Sequence, residues 1–111
     1  CSHGTHIAGM ISGDDPVLRG VAPDAGILAI RVGAVLDTGP DIPELGVLRG
    51  LEHVYDLRDT HDIVAVNLSF GGPPDGCAEP AWEDVIGRLT QAGIAVVAAA
   101  GNSGDPTEIT F

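Results

Sequence analysis

The run Ile63-Val64-Ala65-Val66-Asn67-Leu68 has the composition of a buried β-strand, because it is short, almost wholly apolar and rich in β-branched residues. Ser69-Phe70-Gly71-Gly72 follows it, and a pair of glycines is a strong signal that a strand has ended. The tripeptide Asn67-Leu68-Ser69 matches a glycosylation sequon. Because we expect this strand to be buried, we discount the sequon as a modification site.

Similar apolar runs precede and follow this strand along the chain. Gly26 to Val32 and Ile94 to Ala100 are predicted as two more strands, and residues 33–40 as a loop. Strands that alternate with helices imply right-handed crossovers and a parallel sheet. The expected fold class is therefore α/β.

Two amphipathic helices are predicted between these strands. The first begins near Asp41, which we take as its N-cap, and the second runs from Ala78 to Ala92 with Gly93 as the glycine that ends it. The apolar residues expected to be buried are Ile42, Leu45, Leu48, Leu51 and Tyr55 on the first helix, and Trp82, Val85, Ile86 and Leu89 on the second.

Polar residues follow two of the predicted strands, at Ser69-Phe70-Gly71-Gly72 and at Gly101-Asn102. Working residues of parallel sheets gather beyond the carboxyl ends of the strands. Backbone exposed at the first break could pair with an extended peptide, and the amide of Asn102 could donate a hydrogen bond into a cleft. The alternatives are an ordinary strand-to-loop turn and a turn asparagine.

The stretch Ser2-His3-Gly4-Thr5-His6-Ile7-Ala8-Gly9 begins a helix that we predict over residues 3–12. An imidazole in the first turn suits a general base, because its ordinary pKa is near neutral, and a helix-capping histidine is the alternative. Gly4, Ala8 and Gly9 are small enough to allow close approach of other backbone. His3 and His6 lack the glutamate and third ligand of a zinc-protease helix, so no metal is predicted here and a metal-dependent hydrolase is the least favoured alternative.

Composition limits the functions that this chain can have. It has 111 residues, is 44% hydrophobic and carries a formal net charge of −11, so we expect one domain or part of one. The negative charge argues against binding nucleic acid or an anionic membrane surface. No apolar run is long enough to span a membrane. Two cysteines, Cys1 and Cys77, leave a bridge between them open.

Four stretches occur together and in order, and together they resemble the subtilisin-like serine proteases (subtilases, peptidase S8). His3-Gly4-Thr5-His6-Ile7-Ala8-Gly9 looks like the histidine block of that family, and Gly20-Val21-Ala22-Pro23 resembles the segment that follows the block. Val66-Asn67-Leu68-Ser69-Phe70-Gly71-Gly72 resembles the substrate-binding strand, and Val96 to Asn102 resembles the strand that leads to the oxyanion asparagine.

The resemblance implies a role for each matching residue. His3 is the expected triad histidine, which takes the serine proton and returns it to the leaving amine, and Asn102 is the expected oxyanion donor. The expected substrate-binding residues are Ser69, Phe70 and Gly71 on one wall of the S1 pocket and Ala99, Ala100 and Gly101 on the other. The implied fold is the subtilisin-like three-layer sandwich with a parallel sheet.

Two parts of the family pattern are missing from residues 1–111. Neither the Asp-Ser/Thr-Gly setting of the triad aspartate nor the Gly-Thr-Ser setting of the nucleophile is present. We therefore expect an internal segment of one catalytic domain, inactive by itself, whose parent is a serine endopeptidase acting on peptides or proteins. A catalytically inactive subtilase fold used for binding or as a scaffold is the alternative.

The resemblance also bears on location and on calcium. It implies an extracellular or cell-envelope parent protein. It implies no cofactor in this segment and leaves structural Ca²⁺ to the parent protein, because the loop Ser12 to Arg19 is short and lacks the Asn-rich pattern of the family's tight calcium loop. Asp14 and Asp15 carry the oxygen ligands that Ca²⁺ takes, but we favour solvated loop acids.

Overall fold

The computed structural model describes residues 2–71, 80–102 and 104. The chain is mixed α/β and divides into two compact units, Cys1–Asp41 and Ile42–Phe111. The first unit contains α1 (His3–Ser12), β1 (Ala34–Leu36) and β2 (Gly39–Asp41), and the second contains α2 (Glu44–Leu57), β3 (Ala65–Leu68), α3 (Pro80–Gln91) and β4 (Ala95–Ala98). Cys1, Cys77 and the predicted start of α3 at Ala78 lie outside the described residues.

In the first unit, the predicted helix over residues 3–12 is confirmed as α1. Its last turn is completed by a segment that returns after a short loop. The amide groups of Val21 and Ala22 donate hydrogen bonds to the carbonyl groups of Met10 and Ile11, over 3.1 and 2.7 Å. These bonds satisfy carbonyl groups that the end of a helix otherwise leaves without a partner.

Close backbone approach occurs in this unit at a different place from the one predicted. An ideal Cβ at Gly20 would lie 2.6 Å from the carbonyl oxygen of Ile11, and one at Gly13 would lie 2.5 Å from that of Gly9. At Gly4 and Gly9, apart from the nearby backbone of α1 itself, such a Cβ meets no atom of the described residues within 4 Å. The glycines that the packing requires are therefore at the end of α1, where the returning segment crosses it.

The predicted strand from Gly26 to Val32 is wrong for the described residues, where residues 26–33 belong to no strand. A strand exists only where a neighbour accepts and donates its backbone hydrogen bonds, and the described part of the chain offers this run no such neighbour. Strand pairing occurs instead in the predicted loop, where β1 and β2 form an antiparallel hairpin with Leu36 opposite Gly39.

In the second unit, β3 and β4 form a two-stranded parallel sheet, with Ala65 opposite Ala95 and Leu68 opposite Ala98. The ladder continues one residue past the end of β4, because the amide of Ala99 donates to the carbonyl of Leu68 over 3.1 Å. The predicted strands over 63–68 and 94–100 are thus confirmed with shorter bounds. Asn67 is exposed, so the expectation that its strand buries it is wrong in the described structure.

The hydrophobic core lies in the second unit. Its buried side chains, from α2, α3 and the residue before β4, are Val47, Leu51, Val54, Val85, Leu89 and Ile94. The end of α3 is fixed by Gly93, whose φ of +83° reverses the chain, while the amide groups of Gly93 and Ile94 donate to the carbonyl groups of Thr90 and Leu89. This pair of bonds is a Schellman motif, so the predicted role of Gly93 is confirmed.

Two predictions about α2 are wrong. Asp41 is not its N-cap, because it belongs to β2, and Pro43 holds the N-cap position instead. Of the five residues expected to be buried, Leu51 is buried, whereas Ile42 and Leu45 are exposed. α2 carries two overlapping apolar stripes, and the stripe with Val47, Leu51 and Val54 is the buried one. Within the described ranges, no helix is long and apolar enough to cross a membrane.

Candidate functional site

His3 is the first residue of α1, and its side chain is exposed. Ser2 precedes it at the N-cap position, and His6, also exposed, lies one turn further along the helix. The position of His3 in the first turn of the helix is as the sequence predicts. An imidazole placed in this way is accessible to a reacting group, which is the first requirement for a general base.

The carboxyl ends of β3 and β4 bring two predicted groups of residues together. Ser69, Phe70 and Gly71 follow β3, and residues 99–101 follow β4. Since the strands are parallel and Leu68 pairs with Ala98, the two groups leave the sheet side by side. The side chains of Ser69, Phe70 and Ala99 are half-buried, whereas Gly71, Ala100 and Gly101 are exposed.

Asn102 lies just beyond this pair of strand ends, in a bend with an exposed side chain. Gly101 precedes it with a φ of +86°, a backbone conformation that favours glycine. The chain therefore turns sharply between the end of β4 and Asn102. A primary amide held on such a turn can donate a hydrogen bond to an oxygen atom in front of the sheet edge.

The predicted site residues divide between the two units. His3 belongs to the first unit, and the other predicted residues, Ser69 to Gly71 and Ala99 to Asn102, belong to the second. The structure brings the strand ends that precede the second-unit residues together, through the pairing of β3 with β4. The position of His3 is described only relative to the other residues of the first unit.

A hydrogen bond at the end of β3 was not predicted from the sequence. Nδ2 of Asn67 donates to Oγ of Ser69 over 2.8 Å. One signal in the sequence could have indicated it, because Asn67 is a polar residue in an otherwise apolar strand and stands two positions before a hydroxyl residue. Residues two apart in a strand lie on the same face.

The loop after α1 is closed by its own carboxylate. Oδ1 of Asp15 accepts hydrogen bonds from the amide groups of Val17 and Leu18, over 2.8 and 3.1 Å. These two donors hold the pKa of the Asp15 carboxyl below its ordinary value. Among the described residues, no three His, Cys, Asp or Glu side chains group closely enough to hold a metal ion. Oδ1 of Asp15 is thus engaged by the backbone of its own loop.

A shallow groove also runs between α2 and α3, on the helices rather than at the strand ends. Its lining residues are Leu45, Leu48, Arg49, Glu52, Ala81, Asp84, Val85 and Arg88. The guanidinium of Arg88 lies 3.1 Å from Asp84 and 3.9 Å from Glu52. Because these charges compensate one another, we do not assign this groove a function.

Comparison with known proteins identifies the family. The profile described as the subtilase family, peptidase S8, matches residues 1–110. The chain belongs to the subtilase family. No solved structure matches this subtilase.

Curated relatives of this subtilase are named as subtilisins and serine proteases. The major intracellular serine protease of Bacillus subtilis (strain 168) is 32% identical over 111 residues, which cover 97% of this chain and 32% of the relative. Subtilisin E of the same organism is 34% identical over 105 residues, which cover 93% of this chain and 25% of the relative. Subtilisin-like protease 3 of Trichophyton tonsurans is 38% identical over 103 residues, which cover 90% of this chain and 23% of the relative. The chain thus spans a quarter to a third of the length of such relatives.

Proposed function

We propose that residues 1–111 are a segment of the catalytic domain of a serine endopeptidase, and that they supply the general base, an oxyanion donor and the substrate-binding strand. The observation that supports the proposal is the parallel pairing of β3 with β4, from whose carboxyl ends Ser69–Gly71 and Ala99–Gly101 follow. Family membership supports the reaction class, because relatives of this chain are named as serine proteases.

Substrate binds, in this proposal, along the end of β3. The family resemblance implies that the backbone of Ser69, Phe70 and Gly71 forms hydrogen bonds with an extended peptide, which adds a strand to the sheet. Ala99, Ala100 and Gly101 have side chains small enough to leave room for a substrate side chain next to that strand.

Asn102 stabilises the oxyanion that forms when the peptide carbonyl is attacked. A side-chain amide is a neutral donor that costs little to preorganise, and such donors contribute most where negative charge develops in the transition state. Gly101, with its φ of +86°, lets the chain turn between the end of β4 and Asn102.

His3 acts as the base in this mechanism. It takes the proton from the serine hydroxyl as the oxygen attacks, and it gives the proton to the leaving amine when the peptide bond breaks. The nucleophilic serine and the aspartate that orients the imidazole are supplied by other segments of the parent protein. The complete domain has the three-layer sandwich of its family, and the segment of residues 1–111 does not cleave peptides by itself.

The proposal is tested with the intact parent protein and two site variants. His3→Ala should lower kcat by at least about 10⁴-fold, because the base that activates the serine is lost. Asn102→Ala should lower kcat by about 10²–10³, a magnitude borrowed from the corresponding donor of a subtilisin. His53→Ala is the matched control, since His53 is an exposed histidine on α2, and it should leave kcat unchanged.

Labelling with a fluorophosphonate separates the proposal from its alternative. An active serine endopeptidase forms a covalent adduct at its nucleophilic serine, and the His3→Ala variant should form it far more slowly. If the intact protein takes up no label and cleaves no peptide, the inactive binding or scaffold fold is correct instead. Full activity of the His3→Ala variant would refute the role of His3.

Two further features of the parent protein are part of the proposal. We assign any structural Ca²⁺ to segments outside the loop at Asp15, whose carboxylate is already engaged by two amide groups. We also propose an extracellular or cell-envelope location. One relative is named as an intracellular protease, so fractionation of the source cells is the deciding measurement.

A further inference from the structure

Asn67 contacts one of the proposed substrate-binding residues through its side chain. Its Nδ2 atom donates a hydrogen bond to Oγ of Ser69, with a separation of 2.8 Å. The two residues lie on one face of β3, and the bond between them spans Leu68, the last residue of the strand. It therefore joins the regular part of the sheet to the first residue beyond it.

Asparagine is an unfavourable choice for this position on local grounds. It is among the residues depleted from strands, because its amide competes for backbone hydrogen bonds. Its neighbours in sequence are apolar, and across the ladder it stands opposite Val97, whose side chain has no hydrogen-bonding group. The bond to Ser69 supplies a reason for a polar side chain here that sheet packing does not.

A bond of this kind restricts the end of the strand in two ways. It selects the rotamer of Ser69 in which Oγ accepts the amide proton, and it favours the extended backbone that keeps the two side chains side by side. An extended backbone at Ser69 is the conformation that pairing with an added peptide strand requires.

We propose that Asn67 is a positioning residue for peptide binding, which holds Ser69 and the end of β3 ready to pair with an extended substrate. The inference rests on the proposed function, in which Ser69 to Gly71 bind the substrate backbone. It adds a residue that does not contact the substrate and acts through Ser69. Loss of the bond should therefore weaken binding more than it slows the chemical step.

A double-mutant cycle in the intact protein tests this proposal. Asn67→Leu removes the donor with little change of volume, and Ser69→Ala removes the acceptor. Each variant should raise KM for a peptide substrate about three- to tenfold, with a smaller change of kcat, because the net contribution of one hydrogen bond is modest. The KM of the double variant should be no higher than the KM of the more affected single variant, because both substitutions remove the same bond. Asn67→Val and Ser69→Gly complete the cycle if either first variant fails to fold.

A control separates this effect from a general loss of stability. Thr60→Ala removes another exposed hydroxyl hydrogen bond, to the carbonyl of Leu57, and should leave KM unchanged. The cycle is also measured as peptide Kd in the His3→Ala background, where turnover is suppressed. A protein that binds peptide without reacting with a fluorophosphonate would refute the serine-protease proposal, and the Kd cycle would still test Asn67.

Three results would overturn the role of Asn67. The first is a double variant whose fold-change in Kd or KM is the product of the two single effects, because the residues would then act independently. The second is a single-variant effect confined to kcat. The third is the absence of any peptide binding in the His3→Ala background.

Discussion

The two compact units of this chain are held together by different interactions. The described residues of the second unit include six buried apolar side chains, from α2, α3 and Ile94, whereas those of the first unit include none that is buried. The first unit is held by backbone hydrogen bonds instead, at the end of α1 and in the β1–β2 hairpin. Several of its apolar side chains are exposed, including Val21 at 96%.

This contrast indicates where the stability of the described structure lies. Burial of apolar surface is the dominant favourable term in folding, whereas backbone hydrogen bonds exposed to water contribute little on balance. We therefore expect amide hydrogen exchange to be slow in α2, α3 and β4, and fast in the first unit. The predicted general base and the predicted substrate strand would then belong to parts of the chain with different local stability.

The largest expected effect comes from removing a core side chain. Leu89 is 0% exposed, so Leu89→Ala should lower the free energy of unfolding by about 2–5 kcal/mol, through lost burial and a cavity. Chemical denaturation of the intact protein measures the change, and hydrogen exchange locates it in α3 and β4. The matched control is Leu18→Ala in the first unit, where Leu18 is 78% exposed, with an expected change within about 0.5 kcal/mol. Equal losses would contradict the contrast between the units.

The next effect addresses the hydrogen-bonded end of α1. Gly20→Ala places a Cβ 2.6 Å from the carbonyl oxygen of Ile11, and the returning segment must move at a cost of about 1–3 kcal/mol. Hydrogen exchange of the Val21 and Ala22 amides should accelerate. Gly9→Ala is the control, because its Cβ meets no described atom within 4 Å, and alanine should stabilise the helix by about 0.5–1 kcal/mol. Unchanged exchange in Gly20→Ala would refute the close approach.

A smaller effect is expected at the end of α3. Gly93 has a φ of +83°, so Gly93→Ala should cost about 1–2 kcal/mol, because a Cβ is unfavourable in the left-handed conformation. Gly87 lies within the same helix, and no described atom comes within 4 Å of its ideal Cβ. Gly87→Ala should therefore stabilise by about 0.5–1 kcal/mol. The melting temperature should fall in Gly93→Ala and rise in Gly87→Ala, and an unchanged or raised melting temperature in Gly93→Ala would argue against the Schellman motif.

The features that the sequence predicts well are those that neighbouring residues determine. α1, the end of α3 at Gly93 and the strand over 63–68 follow from periodicity, glycine and an apolar run. The buried face of α2 does not, because both of its stripes have helical spacing and the packing of α3 and β4 selects one of them. The strand expected over 26–32 fails for a similar reason, since pairing depends on a partner that its own residues do not specify.

The candidate site also has features that the sequence predicts and features that it does not. Residues 69–71 and 99–101 could be predicted as neighbours, because two parallel strands must present their carboxyl ends at one edge of the sheet. The bond from Asn67 to Ser69 and the close approach at Gly20 depend on side-chain rotamers and on the path of a returning segment. The sequence contains no signal for the path of the returning segment, and for the bond it offers only the two-residue spacing of Asn67 and Ser69, which does not fix their rotamers.

The smallest expected effect is a pH dependence within the first unit. The amide groups of Val17 and Leu18 stabilise the ionised Asp15 carboxylate, so its pKa is lower in the folded chain than in the unfolded chain. The stabilisation is therefore complete above the unfolded value of about 3.9, and it is lost as the pH falls through the lower folded value. An NMR titration should show the Val17 and Leu18 amide shifts moving together below about pH 4.

Asp15→Asn is the control for this titration, because its side-chain oxygen still accepts hydrogen bonds but no longer ionises. The coupled movement of the two amide shifts should disappear in that variant. The amide shifts of the core residues of the second unit should change with pH in the same way in both proteins. If the Val17 and Leu18 amide shifts still moved together with pH in Asp15→Asn, another acidic residue would be the group that titrates. Movement of the Leu89 amide in step with Val17 would show that the loop and the core respond as one cooperative unit, contrary to the division into an exposed, hydrogen-bonded unit and a buried, apolar one.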